Sequence, residues 1–339
     1  LTETLNSKAI DNFADHFEYI EQEPLAAASV GQVHRGTLKS GEEVIIKFVK
    51  QANSKVFSKE VKRMRSWLKI IILFSPRLRK VGNPIALINH VADYTLRELD
   101  LRNEIKGAGE LMEIQQDISK DFPTPLLRFP KYYPELSNEN VLVSEFIDGD
   151  SLEEGIDNKS LSWETLLDLF RIHGAYLFGV GTFHGDLHPG NCIIDKQGKF
   201  VFIDNAAVCH APKNVSRSLF VFFEKLSQQK LDEAFIALLD MTDQHPSEKR
   251  MKKYMSKMHE IYQDFGKKSV GEQSLTKIMM QTVRAAVELA GAEFGEEAFP
   301  IIRALMYLDG LVLRTHPDAY LIKSMGPYLE EFREKLGLN

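Results

Sequence analysis

The run His184-Gly185-Asp186-Leu187-His188-Pro189-Gly190-Asn191 sets a carboxylate five residues ahead of a carboxamide, and Phe202-Ile203-Asp204 adds a second carboxylate further on. Phosphoryl transfer from a nucleoside triphosphate needs such a set. One carboxylate must stand at the attacking hydroxyl or water, and oxygen ligands must hold Mg²⁺ against the phosphates. The spacing makes Asp186 the candidate base and Asn191 and Asp204 the candidate metal ligands. A lone Asp or Asn in a loop more often only caps a turn. The ordered set, followed by strand, turn, strand and Asp204, fits the chemistry better.

An earlier segment supplies the complementary charge. Lys47 closes the apolar run Val44-Ile45-Ile46, where a strand lysine can grip the α- and β-phosphates. Most strand lysines are merely solvated, but this one follows a small-residue turn and a hairpin. The turn is Ala26-Ala27-Ala28-Ser29-Val30-Gly31-Gln32. Its backbone N–H groups could cradle phosphate, although alanine reaches positive φ at greater cost than glycine. A stiffer loop than a glycine-rich one is expected.

The elements that must position these residues read as follows. Ile10, Phe13, Phe17 and Ile20 recur at helical spacing, with Pro24 as a terminator. Gln32–Leu38 and Glu43–Val49 form a hairpin across Lys39-Ser40-Gly41. Residues 51–80 are predicted helical, with Val61, Met64, Leu68, Ile71 and Ile72 on one face. Asn83-Pro84 opens a second helix to about Glu113 that buries Leu101, Ile105, Ala108 and Met112. The proline-rich stretch 121–134 is a loop, and Val141-Leu142-Val143 is a short buried strand. Trp163 to Phe183 is helical, 192–194 and 200–203 are strands around Lys196-Gln197-Gly198, and helices follow Pro212. Leu219, Phe222, Phe223 and Leu226 make one apolar stripe there, and Met251, Met255, Met258 and Tyr262 another. The connection Ile147–Leu152 is the expected boundary between a first part, 1–147, and a second, 148–339.

Pro24 through His34, with its alanine-rich core, resembles the corresponding loop of the UbiB/AarF/ADCK atypical kinases. Glu98-Leu99-Asp100 with Glu104 resembles that family's Glu-x-Asp signature and αC glutamate, and His184–Asn191 fits as well. The resemblance covers roughly residues 13 to 210. It implies an α+β, protein-kinase-like two-lobed fold, with a β-rich N-lobe carrying inserted helices and a helical C-lobe. It also implies ATP or ADP and Mg²⁺ as ligands, with Glu104 paired to Lys47 in the catalytic set. Glu98 and Asp100 would face the nucleotide, and the backbone of Glu145-Phe146-Ile147 would meet the adenine. Periodicity alone leaves open whether Glu98 or Glu104 turns inward, because both flank the Leu101/Ile105/Ala108 stripe.

The sequence departs from the family's pattern in three respects. Asp204 precedes Asn205-Ala206 rather than Phe-Gly, which puts the mobility and packing of this segment in question. Lys8 is not followed by Gly-Gln, so the family's upstream Lys-x-Gly-Gln segment has no counterpart. Membrane helices at the C-terminal end are also missing, and for a chain complete as given this implies a more open site.

Composition narrows the classes. A net charge of −6 argues against a general nucleic-acid binder. Hydrophobic residues at 44% and charged residues at 27% are ordinary for a globular domain. The apolar run Trp67 to Phe74 is broken by Lys69 and is too short to span a bilayer. Cys192 and Cys209 define no disulfide framework, so a reducing compartment is expected. The start at Leu1 instead of Met points to an excised fragment. The first reading is an ATPase or kinase supporting an isoprenoid-quinone pathway, on the cytoplasmic or organelle-matrix side and soluble or peripheral to a membrane. Its partners would be a nucleotide and a lipid or a quinone-pathway enzyme. Two alternatives are an aminoglycoside/choline-kinase-type phosphotransferase and a silent nucleotide-binding scaffold.

Overall fold

The computed structural model describes residues 9–27, 31–49, 54–74, 95–242 and 244–338, together with 88 and 92. It divides into two compact units, neither of them a continuous stretch of chain. The first gathers described residues of Leu1–Met112 with Arg128–Gly149 and Asp195–Ala207. The second gathers Glu113–Leu127, Asp150–Ile194 and Val208–Asn339.

A five-stranded antiparallel sheet organises the first unit. β1 (Phe17–Ile20), β3 (Gly31–Leu38) and β4 (Glu43–Val49) lie side by side, and the two-residue β2 (Ala26–Ala27) pairs with β3. After the short β5 (Leu127–Arg128), β6 (Val141–Glu145) completes the sheet beside β4. Strand alternation sorts β4 into two faces. Val44, Ile46 and Phe48 are fully buried against Phe13, Phe17, Val141 and Val143, while Ile45 and Lys47 turn to the opposite, half-buried face. Gly31 starts β3 where a Cβ would stand 2.8 Å from Phe48 O, so only glycine lets the two strands close here.

Two sequence expectations fail in this unit. Ile10 to Ile20 is not one helix: Phe13–His16 is a single 3₁₀ turn and Phe17–Ile20 is β1. A short isolated helix is marginal, whereas the edge of β3 offers a ladder, with Phe17 opposite Leu38 and Ile20 opposite Gly36. The Phe13 and Phe17 rings still meet, at 4.8 Å between centroids, and so mimic helical spacing. The helix expected to run on to about Glu113 is interrupted by a turn at 99–101. Leu101 N donates to Glu139 O at 3.1 Å and its side chain joins Val49 and Leu142 in a small core. After α1 (Ser54–Phe74), α2 therefore begins at Arg102 and runs to Asp117, burying Glu104, Ala108 and Leu111 and leaving Met112 exposed. On α1 Met64 is also exposed. Asn83-Pro84 and the side chains of Ile71 and Ile72 lie outside the described residues.

In the second unit β7 (Gly149–Ser151) leads to α3 (Leu152–Asp157), which opens on a capping box between Ser151 and Glu154. α4 (Trp163–Gly179), capped by Ser162, is buried along most of its length from Leu166 to Phe178 and forms the centre of the helical core. It stops four residues before the expected Phe183. Gly181 (φ 81°) turns the chain into β8 (Thr182–His184), which finds a partner in β11 (Val208–His210). Between them in sequence come β9 (Cys192–Asp195) and β10 (Phe200–Phe202), the latter belonging to the first unit. After β11 follow α5 (Lys213–Ser227), α6 (Leu231–Leu239), α7 (Glu248–Tyr262), α8 (Leu275–Ala285), α9 (Ala298–Thr315), α10 (Leu321–Ser324) and α11 (Gly326–Lys335), of which α5 and α11 pack directly on α4. No helix among the described residues is long and apolar enough to cross a membrane.

Candidate functional site

In the first unit, Lys47 lies between Val33 on β3 and Leu142 on β6. Its Nζ donates to Glu104 Oε2 at 2.9 Å and to Asp204 Oδ2 at 3.2 Å. Glu104 also accepts from Asp204 N, at 3.3 Å to Oε1, so one buried carboxylate holds both the lysine and the backbone of the aspartate. Burial works to lower the Lys47 pKa, but the Glu104 and Asp204 carboxylates outweigh it and hold the ammonium above the ordinary lysine range. Burial, aided by repulsion from Asp204, raises Glu104 even though Lys47 opposes it.

Asp204 has φ 64°, a left-handed conformation uncommon for a residue with a Cβ. The next residue explains how it is kept. Asn205 is fully buried and donates through Nδ2 to Phe202 O at 2.8 Å and to Tyr132 Oη at 3.1 Å. The place where the family has Phe is thus occupied by an amide bonded to two neighbours in the same unit.

The remaining residues anticipated in this unit divide. Ala26 and Ala27 form β2, paired with Val33 and Gln32, and both are exposed. Ala28, Ser29 and Val30 lie outside the described residues, while Gly31 and Gln32 begin β3. Glu98 is half-buried. Asp100 is bound by Arg102, whose Nε and Nη2 donate at 2.8 and 2.7 Å, and that contact lowers its pKa. The Glu145 carboxylate is committed to Arg128 at 3.1 Å, and Arg128 also holds Asp195. The Glu145 and Phe146 N–H groups donate to Lys131 O and Glu43 O. Buried Ile147 completes this segment.

In the second unit, the loop 184–191 is closed on itself. Asp186 N donates to His184 Nδ1 at 3.2 Å, and Asn191 Nδ2 donates to Asp186 O and Oδ2 at 3.0 and 3.3 Å. Buried Leu187 anchors the loop, and the His188 ring accepts from Gly190 N. The Asn191 amide nitrogen is thus spent on Asp186. Sequence reasoning missed Arg303 on α9. Its Nε and Nη2 donate to Gly185 O at 3.0 and 2.7 Å, and Nε lies 4.0 Å from Asp186 Oδ1. A lone arginine inside the apolar run of α9 was the only hint.

Among the described residues no three His, Cys, Asp or Glu side chains converge to hold a metal ion. A hard cation such as Mg²⁺ takes oxygen ligands and is commonly held by one or two carboxylates plus substrate phosphates, and in the first unit the Asp204 carboxylate is a donor of that type.

A family model described as the ABC1 atypical kinase-like domain matches residues 1–236. Curated relatives include the "Probable protein kinase UbiB" of Sodalis glossinidius, 24% identical over 95% of this chain and 59% of its own length. The same-named protein of Pseudomonas fluorescens Pf-5 is 25% identical over 95% of this chain and 60% of its own. The chain thus spans about 60% of the length of these relatives. Among solved structures, that titled "The complex structure of Rv3197-erythromycin from Mycobacterium tuberculosis" superposes with a TM-score of 0.62 at 19% identity. It covers 97% of this chain and 81% of the other. The fold is α+β and protein-kinase-like.

Proposed function

Because the chain belongs to the ABC1 atypical kinase-like family of UbiB-type proteins, we propose that it binds ATP with Mg²⁺ and transfers or hydrolyses the terminal phosphoryl group. The observation that carries this reading is Lys47, a strand lysine fixed between Glu104 and Asp204. A cation placed this way meets phosphate oxygens without having to be ordered first. Glu104 positions it. Asp204 and the Asn191 carbonyl oxygen would hold Mg²⁺, which when bound neutralises charge on the phosphates. Asp186 takes the proton of the attacking hydroxyl or water, with Arg303 and Asn191 fixing the loop that carries it. The N–H groups of Glu145 and Phe146 are already spent, so the Glu145 carbonyl and Ile147 N–H are the groups assigned to the adenine edge. A quinone-pathway role at a membrane surface, which the family resemblance implies, belongs to the same proposal.

Thermal melting with ADP or ATP, with and without Mg²⁺, tests the reading. Ligand at about 100 times its Kd should stabilise the parent by roughly 2.7 kcal/mol, a shift of a few degrees at most in a chain this long. Asp204→Ala should lose the Mg²⁺-dependent part. An equal Mg²⁺-dependent shift in parent and variant would remove Asp204 from the site.

A further inference from the structure

In the first unit α1 (Ser54–Phe74) runs for 21 residues, yet none of its described side chains, Phe57 and Lys59 to Leu68, is buried. The neighbouring α2 buries Glu104, Ala108 and Leu111. A helix in water owes most of its stability to the packing of an apolar face. On α1 that face is half-covered at Phe57, Val61 and Leu68, which recur at helical spacing. Beside them Met64 and Trp67, one turn apart, stand 54% and 59% exposed.

Charge is segregated on the same helix. Six Lys and Arg face a single acid, Glu60, a net +5 in a chain of net −6, so the rest of the chain totals −11. Lys59, Lys62 and Arg63 are exposed along with Met64 and Trp67, and Arg65 is half-buried. Glu60 offsets little, because it comes no nearer than 4.0 Å to Arg63 and both side chains are in solvent. A positive element on a negative body is drawn to a negative surface. The two large apolar groups among the bases select its kind. Tryptophan favours the boundary between water and hydrocarbon, and a basic helix with an apolar flank lies in the plane of an anionic bilayer surface. Nucleic acid or an acidic peptide matches the charge but offers no hydrocarbon for Met64 and Trp67. α1 is not apolar enough to cross the bilayer.

We propose that α1 lies on a bilayer surface bearing anionic headgroups, with Met64 and Trp67 entering the boundary layer and Lys59, Lys62 and Arg63 against the headgroups. This rests on the membrane-surface part of the proposed function, to which it adds the element and the headgroup charge. The ATP chemistry can fail without touching it.

The chain has two tryptophans, so Trp163→Phe leaves Trp67 as the sole reporter. This nucleotide-free variant is mixed with vesicles of phosphatidylcholine alone, or with about one third phosphatidylserine, a strongly anionic surface. Trp67 emission is read with and without bromine on the lipid acyl chains, and sedimentation of the unaltered parent with the same vesicles repeats the affinities. Mixed vesicles should bind about tenfold more tightly or better, since each base near an anionic surface adds roughly fivefold. Trp67 should shift to the blue, brominated lipid should quench it, and added salt should weaken the binding. Lys59→Glu, Lys62→Glu and Arg63→Glu together should remove the preference for mixed vesicles. All three side chains are exposed, so the melting temperature should stay that of the parent. Equal binding to both vesicles, an unquenched Trp67, or a triple variant that binds like the parent would each overturn the assignment to α1. Tighter capture of polyglutamate or of a duplex oligonucleotide than of mixed vesicles would also overturn it, in favour of an acidic protein or a nucleic acid. Binding to no vesicle at all would overturn the membrane-surface role with it.

Discussion

At Asp204, a backbone shape uncommon for a side-chain-bearing residue coincides with the carboxylate assigned to the metal. Two neighbours hold it. Glu104 accepts from its N–H, and Asn205 is bonded to Phe202 O and Tyr132 Oη below it. Asn205→Ala should therefore destabilise the chain by about 2 kcal/mol, since it removes the bond to Phe202 O and deprives the half-buried Tyr132 phenol of its Asn205 partner. It should also weaken Mg²⁺-dependent nucleotide binding, because the left-handed turn loses its anchor. Melting with and without Mg²⁺–ADP measures both, and an unchanged melting temperature would show that the amide is only a space filler. The replacement of Phe-Gly by Asn205-Ala206 was visible in the sequence, but its consequence was not, because Tyr132 lies far from Asn205 along the chain. The roles proposed for Lys47, Asp186, Asn191 and Asp204 rest on their order and spacing, which is what the chemistry requires. Arg303 was not legible, since it reaches Gly185 from a distant helix.

Elements were legible where one period was forced by one environment. β3 and β4 alternate across a single buried face, and the helices after Pro212 carry continuous stripes. Phe13 and Phe17 misled because a 3₁₀ turn feeding an edge strand can bring two rings together as a helix would. The helix at Leu101 was broken by a long-range pairing with Glu139 that no local propensity encodes. α4 carries a prediction of its own. Burial, with a contribution from His184, depresses His173 from 6.5 to about 4, and the ring also packs edge-on against Phe183. The unfolded chain takes up this proton below about pH 6.5, whereas the folded chain resists it down to about 4. Stability is therefore lost as pH falls through that window, by about 3 kcal/mol for this group. His173→Gln should remove that part of the acid sensitivity. Urea melts of parent and variant between pH 7 and 4 check it, and parallel curves would contradict it.

At the scale of the molecule, a sheet-based unit holds Lys47, Glu104 and Asp204, and a helical unit holds Asp186 and Asn191. The α+β order of the chain was readable from its periodicities. The re-entry of 113–127 and 195–207 was not, because contact partners, not local pattern, decide to which unit a short segment belongs. The proposed ATP chemistry turns on Asp186 as base. A base acts in the transition state, so its loss should lower turnover and spare ground-state affinity. The direct measurement is phosphate release from ATP by the parent and by Asp186→Asn, with nucleotide affinity measured on the same preparations. In Asp186→Asn, affinity should stay within a few-fold of the parent and hydrolysis should fall by about 100-fold or more, the scale of general-base loss. A parent that binds ATP without releasing phosphate, or a variant that hydrolyses as fast as the parent, would contradict that chemistry.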